Sequence, residues 1–182
     1  MEVTLMELLD SREARVRHQK ELLEAYCSAE KAGGISRWDN EPVLISITLN
    51  IPGPVKDKPA YRKLMEYAVS SLEEACREEV SEGVLYKEAR YLKTGAEGYI
   101  VIGGMTAEAV KSKAITIENG SEAGRLLDID VLTMKGGISR TKLGFEQRKC
   151  LLCDKPAKEC ARSQRHSMEE LLAEVDRIAE SL

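Results

Sequence analysis

Residues 125–133 read Arg-Leu-Leu-Asp-Ile-Asp-Val-Leu-Thr, and the two aspartates inside this strand-like run decide how the chain is read. Its branched and apolar residues predict a β-strand. Residues i and i+2 of a strand point to one face, about 6–7 Å apart along the rise. Asp128 and Asp130 therefore share a face, and two carboxylates cannot share a dry core without a cation. They suit a divalent ion such as Mg²⁺, which takes carboxylate oxygens together with substrate phosphates. The competing reading is a strand end whose aspartates are simply solvated.

On either side of this strand the chain alternates helical and extended patterns. Residues 4–29 carry Leu5, Leu8, Leu9, Val16, Leu22, Leu23 and Tyr26 at helical spacing, opened by a Thr4/Glu7 capping box with Val3 and Leu8 as its staple. Gly33-Gly34 is expected to end that helix. Residues 42–51 (PVLISITLNI) alternate as a strand and run into the rigid Pro52-Gly53-Pro54. A second helix starts near Lys58-Pro59, and Gly83 precedes a strand over 84–92. Gly95 and Gly98 bracket a hairpin connection to a strand over 99–102. Gly103, Gly104 and Thr106 open a helix over 106–114, followed by an extended piece around Ile115–Ile117. A capping box at Ser167/Glu170 opens the last helix, over 167–181, with Met168, Leu171, Leu172, Val175 and Ile178 on its apolar face. This order predicts an α+β (mixed α/β) fold: a largely antiparallel sheet flanked by helices, in a single domain over 1–182.

The 182 residues are 43% apolar and 32% charged, enough for a core under a solvated surface. No run is long and apolar enough for a transmembrane helix, and the first residues, MEVTLMELLDSREARVR, lack the apolar region of a secretory signal, so a cytoplasmic location is expected. Aromatic residues are only 4% and the net charge is −4, which argues against nucleic-acid binding. That charge is polarised. Between Lys135 and His166 nine Lys or Arg stand against three acids, so this window is +6 and the remainder −10. A basic segment beside a carboxylate pair points to an anionic ligand and metal-assisted phosphoryl or nucleotidyl chemistry. A solvated basic loop is the plainer alternative.

The same window, 135–166, holds three of the five cysteines. Cys150, Cys153, Cys160 and His166 offer three thiolates and an imidazole, which could close a structural Zn²⁺ site; buried thiols beside a short helix are the alternative. Cys27 and Cys76 lie in helical patterns and are read as core, and His18 as part of a solvated helix face.

The glycines upstream, Gly120-Ser121 and Gly124-Arg125, followed by Asp-x-Asp, are similar to the signature of the nucleotidyltransferase superfamily, where turn amides hold a triphosphate and the aspartates hold the metal. At GRLLDIDV (124–131) together with RKCLLCDKPAKECARSQRH (148–166) the chain closely resembles the holo-citrate lyase synthases, also called apo-citrate lyase phosphoribosyl-dephospho-CoA transferases. NIPGPVK (50–56), TIE (116–118) and ISR (138–140) extend the resemblance over nearly the whole chain. Where the family usually reads like His-Pro-Leu before that glycine, this chain has Ser121-Glu122-Ala123, and Leu127 stands where Trp is frequent.

The resemblance implies transfer of 2′-(5″-triphosphoribosyl)-3′-dephospho-CoA to a serine of the acyl carrier protein, the citrate lyase γ chain, with release of pyrophosphate. Under it, Asp128 and Asp130 bind Mg²⁺, and Gly124, Arg125 and Arg140 hold phosphate. Lys56, Arg148 and Arg162 are further candidates for phosphate or diphosphate contacts, and Glu118 for the base that takes the serine proton. The basic window would dock an acidic carrier. Two other readings stand beside it: a zinc-stabilised basic adaptor for an acidic protein or RNA, and a related transferase serving malonate decarboxylase.

Overall fold

The computed structural model describes residues 1–32 and 38–182, and the expected Gly33-Gly34 helix stop lies outside the described residues. The elements run α1 (Leu5–Ala32), β1 (Val43–Leu49), α2 (Pro59–Arg77), β2 (Val84–Leu92), β3 (Gly95–Ile102) and α3 (Ala107–Gly120). A 3-10 turn at Ala123–Leu126 leads into β4 (Leu127–Thr133), then β5 (Gly136–Ile138), a second 3-10 turn at Arg140–Leu143, α4 (Ala157–Ser163) and α5 (Met168–Glu180). The five strands form one antiparallel sheet in the order β2-β3-β1-β4-β5, so the fold is mixed α+β.

Strand alternation divides the sheet into two unlike faces. On one, Ile45, Ile47, Ile100, Ile129 and Val131 pack against Leu64, Met65 and Leu72 of α2, Val110 and Ala114 of α3, and Val175 and Ile178 of α5. Each is essentially inaccessible to water, and burying such a side chain contributes about 1.5–3 kcal/mol. Gly98 lies inside β3, because the strand begins at Gly95, directly after the turn, rather than at residue 99. A Cβ on Gly98 would sit 2.8 Å from the sulfur of Met65, so its absence lets α2 settle on the sheet.

The other face is covered by α1, whose Leu22 and Leu23 pack on Leu44, Tyr99 and Val101. The Thr4/Glu7 capping box forms, with Glu7 N–H donating to Thr4 Oγ1 at 3.2 Å and Thr4 N–H to Glu7 Oε2 at 2.8 Å. The stripe read from the sequence is only partly buried: Leu5, Leu9 and Val16 are exposed. His18 departs the other way from its expectation as a solvated residue. Its side chain is 15% exposed, its Nε2 lies 3.0 Å from Glu88 Oε2, and its ring meets Tyr99 edge-on at 4.7 Å.

Helix α3 departs from the expected break at residue 114. Ile115, Thr116 and Ile117 are helical, and the helix runs on to Gly120. Ile115 is buried and Thr116 Oγ1 donates back to Ser112 O at 3.1 Å, so packing overrides the extended preference of β-branched residues. The 3-10 turn presses on this helix. A Cβ on Gly124 would come 2.1 Å from the carbonyl oxygen of Ile117. Gly124→Ala is expected to cost about 2 kcal/mol and lower the thermal midpoint by roughly 5 °C; an unchanged midpoint in a calorimetric scan would show that the turn is free to move away.

Candidate active site

β5 pairs only with Val131, Leu132 and Thr133, so the first half of β4 forms an open edge of the sheet. Buried backbone groups there need partners, and three long side chains supply them. Arg148 Nη1 donates to Leu127 O at 2.7 Å, Ile129 N–H donates to Glu118 Oε1 at 3.0 Å, and Lys111 Nζ donates to Ile129 O. Lys111 and Glu118, seven residues apart on one face of α3, are both buried. That i, i+7 pairing of opposite charges was the sequence signal for Lys111, which sequence reasoning missed.

Glu118 is the hub of this edge. Besides Ile129 N–H it accepts from Arg148 Nη2 through Oε1 and from Arg140 Nη2 through Oε2. One buried carboxylate thus holds two guanidinium groups side by side, and their other terminal nitrogens reach the carbonyls of Glu146 and Leu127. Arg148 also lies 3.6 Å from Asp128 Oδ1.

Asp128 and Asp130 stand on the α1 face of β4, paired across the ladder with Thr48 and Ser46. Both are open to solvent, with the Asp128 side chain 56% exposed. The protein packed around Asp130, and then the neighbouring Asp128 charge, push its carboxyl above the usual carboxylate range. Two outward carboxylates that repel one another, with Arg148 at the edge of one of them, are a donor set that fits a hard divalent cation.

The aspartates, Asn50, Ser139, Arg140 and Arg148 line a cavity of about 450 Å³. Arg140 and Arg148 form the wall it shares with a second, also of about 450 Å³, which reaches Arg125, Asn119 and Lys149. Arg125 is anchored by donation to Cys150 O. Gly124 N–H donates to Ser121 Oγ at 3.0 Å, and that oxygen also lies 3.2 Å from Tyr67 Oη, so both groups of this turn are engaged within the protein. The structure does not bring every candidate together. Arg162 is exposed on α4 and lines neither cavity, and Lys56 lines a separate cavity beneath α1.

Beside the arginines the chain folds into a knot. Cys150 N–H donates to Lys155 O at 2.7 Å and Ala157 N–H to Arg148 O at 2.9 Å, closing a hairpin that continues into α4. Gln164 ends α4 in the left-handed region, at φ 46°, a conformation that costs a residue with a Cβ about 1–2 kcal/mol. The turn brings His166 back, so that the ligand atoms of Cys150, Cys153, Cys160 and His166 all lie within 4.8 Å of one another. A tetrahedral zinc with Zn–S bonds of about 2.3 Å requires ligand atoms about 3.7 Å apart. The Cys153–Cys160 sulfurs at 3.5 Å and His166 Nε2 to Cys153 Sγ at 3.4 Å come close to that. The Lys155 N–H and then His166 hold the Cys153 thiol down to about 6, whereas burial pushes Cys160 up to about 11. This Cys₃His cluster could bind a metal such as zinc.

The family model for apo-citrate lyase phosphoribosyl-dephospho-CoA transferase matches residues 3–182. A probable apo-citrate lyase phosphoribosyl-dephospho-CoA transferase of Streptococcus pyogenes serotype M18 is 31% identical over 98% of this chain and 86% of its own length. A probable transferase of the same name from Vibrio cholerae serotype O1 is 34% identical over 97% of this chain and 91% of its own length. Protein CitXG of Leuconostoc mesenteroides is 32% identical over 97% of this chain, which corresponds to 35% of that longer protein. With a carboxylate-bearing strand, its arginine wall and a match over nearly all residues, the chain belongs to the apo-citrate lyase phosphoribosyl-dephospho-CoA transferase family.

Proposed function

We propose that this chain transfers 2′-(5″-triphosphoribosyl)-3′-dephospho-CoA to a serine of the citrate lyase acyl carrier protein, the γ chain, forming a phosphodiester and releasing pyrophosphate. This is nucleotidyltransferase chemistry carried by one domain spanning 1–182. The observation that carries it is the Asp128/Asp130 pair opening into the same cavity as Arg140 and Arg148. A triphosphate needs charge compensation at both its bridging and its departing oxygens, and this cavity offers metal-binding carboxylates on one wall and guanidinium groups on the other.

Asp128 and Asp130 would hold Mg²⁺. When bound, it would neutralise the triphosphate oxygens and the charge that develops as pyrophosphate leaves. Arg140 and Arg148 clamp the phosphate oxygens in a fixed orientation, since Glu118 already sets their planes. Arg125 extends the same cationic wall. Glu118, expected from the sequence as the base, has both oxygens committed to Ile129 N–H and the two arginines. Its place in the reaction is therefore to position the guanidinium groups. Glu118→Gln is expected to raise KM for the donor at least tenfold with a smaller fall in kcat. A base would give the opposite split, kcat collapsing at unchanged KM.

The exposed cations Lys149, Lys155, Lys158, Arg162 and Arg165 surround the knot and offer an acidic carrier its docking surface. The Cys₃His cluster would hold a structural Zn²⁺. Five cysteines with no disulfide among the described residues accord with a cytoplasmic enzyme; no described helix is long and apolar enough to cross a membrane.

The deciding experiment incubates the protein with donor, apo carrier protein and Mg²⁺, reading pyrophosphate release and carrier mass. A carrier heavier by the prosthetic group, in step with pyrophosphate, is the expected result. Neither product with a folded protein would overturn the proposal.

A further inference from the structure

The NIPGPVK segment (50–56) leaves a question that the arginine wall does not answer. Its lysine lies on the other side of the carboxylate strand, in a cavity of about 230 Å³ beneath the N-terminal half of α1. Lys56, Arg15, Ser11, Thr94, Thr48 and Glu97 line it. Lys56 is half-buried, and the contact its ammonium makes among the described residues is to Ile51 O. An ammonium has three donors, so two remain directed into the cavity or to water. Burial lowers the Lys56 pKa, as expected for a cation short of counter-charge.

Arg15 is partly served. Its Nε lies 3.8 Å from Glu97 Oε1, beyond hydrogen-bonding distance, and Glu97 takes its short hydrogen bond from the Tyr99 hydroxyl instead. Thr94 Oγ1 donates to Ser11 Oγ at 2.8 Å and fixes the rim between α1 and the β2–β3 turn. Gly95, at φ +121°, brings the backbone to the Lys56 side chain, where a Cβ would lie 3.8 Å from Lys56 Cβ. Two cations against one already bonded carboxylate make this a built, anion-attracting cavity.

Its position relative to the aspartates is fixed by the ladder. Thr48 pairs with Asp128 on one side and with Glu97 on the other, so it borders both the carboxylate pair and the cavity. Arg15 contributes favourably to the ionised form of Asp130 from the same side. The donor has two separate polyphosphate groups: the triphosphate on its ribose and the diphosphate joining adenosine to pantetheine. The triphosphate must reach Asp128 and Asp130, which line the arginine cavity and not this one.

Resting on the proposed function, we infer that the cavity lined by Lys56 and Arg15 is a second anion subsite that takes the diphosphate bridge of the donor's dephospho-CoA half. The carboxylate strand then divides the two ends of one substrate, with the reacting phosphate above Asp128 and Asp130. Lys56 and Arg15 act in binding and specificity, away from the departing pyrophosphate.

Calorimetric titration of the full chain with two probes, dephospho-CoA and inorganic tripolyphosphate with Mg²⁺, tests this. The wild type should bind both at once, without competition. Lys56→Met should weaken dephospho-CoA roughly tenfold or more and leave tripolyphosphate unchanged, and Arg15→Gln, a milder surface change, should do the same. Unaltered dephospho-CoA affinity in both variants, or displacement of dephospho-CoA by tripolyphosphate, overturns the subsite. Failure of tripolyphosphate to bind the wild type, with dephospho-CoA binding still dependent on Lys56, overturns the proposed reaction and leaves the subsite standing.

Discussion

Asp128→Asn and Asp130→Asn each lower the rate of pyrophosphate release by roughly 10³-fold or more at saturating donor, with the fold intact. The size follows from what these carboxylates do. Both point away from the core, into solvent, on a strand whose opposite face carries Leu127, Ile129 and Val131. An amide in their place keeps the shape of the strand and adds no buried charge, so stability should change by less than about 0.5 kcal/mol. Under the proposed function, what would be lost is half of a dianionic cation site, and with it the charge that would meet the departing pyrophosphate. Removing the Asp128 charge also leaves Glu118 as the one carboxylate beside Arg148, which keeps its bond to Leu127 O. The measurement is pyrophosphate release against Mg²⁺ concentration, with thermal unfolding as the control. Wild-type rates in both folded variants would remove the metal from this strand. Partial recovery at high Mg²⁺ in either variant would show that the site is weakened rather than bypassed.

What was legible in the sequence follows the range of the interactions involved. Local signals held: β2 spans Val84–Leu92 as its pattern predicts, Pro59 opens α2, and the Ser167/Glu170 capping box opens α5. The carboxylate pair on one strand face was legible because strand alternation is a two-residue property. The arrangement that makes it a site was not. Glu118 reaches Arg140 and Arg148 across 22 and 30 residues, and Lys111 reaches the Ile129 carbonyl across 18. The sequence points to Glu118 only by its nearness to the carboxylate strand, and its helical setting, on α3 as it runs on to Gly120, is set by packing. The α1 stripe misled for a related reason. Helical spacing marks a face, but the sheet is there to cover it only along part of the helix, so Leu22 and Leu23 are buried and Leu5 and Val16 are not. His18 drew its partners from β2 and β3, which no local pattern specifies.

The second large effect concerns the knot. The purified protein is expected to contain about one zinc per chain, and Cys153→Ser to lose it. Apart from the Arg148 bonds to Leu127 O and Glu118, the Arg125–Cys150 contact and Leu151 against the core, the segment 145–166 makes little structure of its own: α4 is seven residues long, too short to persist alone, and Phe145 is exposed. Apparent binding free energies of structural zinc in small peptides are about 10–16 kcal/mol, enough to order such a segment and to offset the left-handed turn at Gln164. Its loss should leave the five-stranded sheet folded, since the core that holds the sheet lies largely outside this segment. It should nevertheless reach the reaction, because Arg148 stands at the hairpin closed by the knot and Arg125 is anchored on Cys150 O. With both arginines released, KM for the donor should rise at least tenfold while the aspartates keep their place on β4, the reverse of the kcat loss expected for Asp128→Asn. Metal analysis, chelator titration and donor KM measured on the same sample decide it. Zinc near zero in a fully active protein removes the metal from the knot. Zinc at one per chain with an unchanged KM after chelation would instead show that the hairpin hydrogen bonds alone suffice to place Arg125 and Arg148.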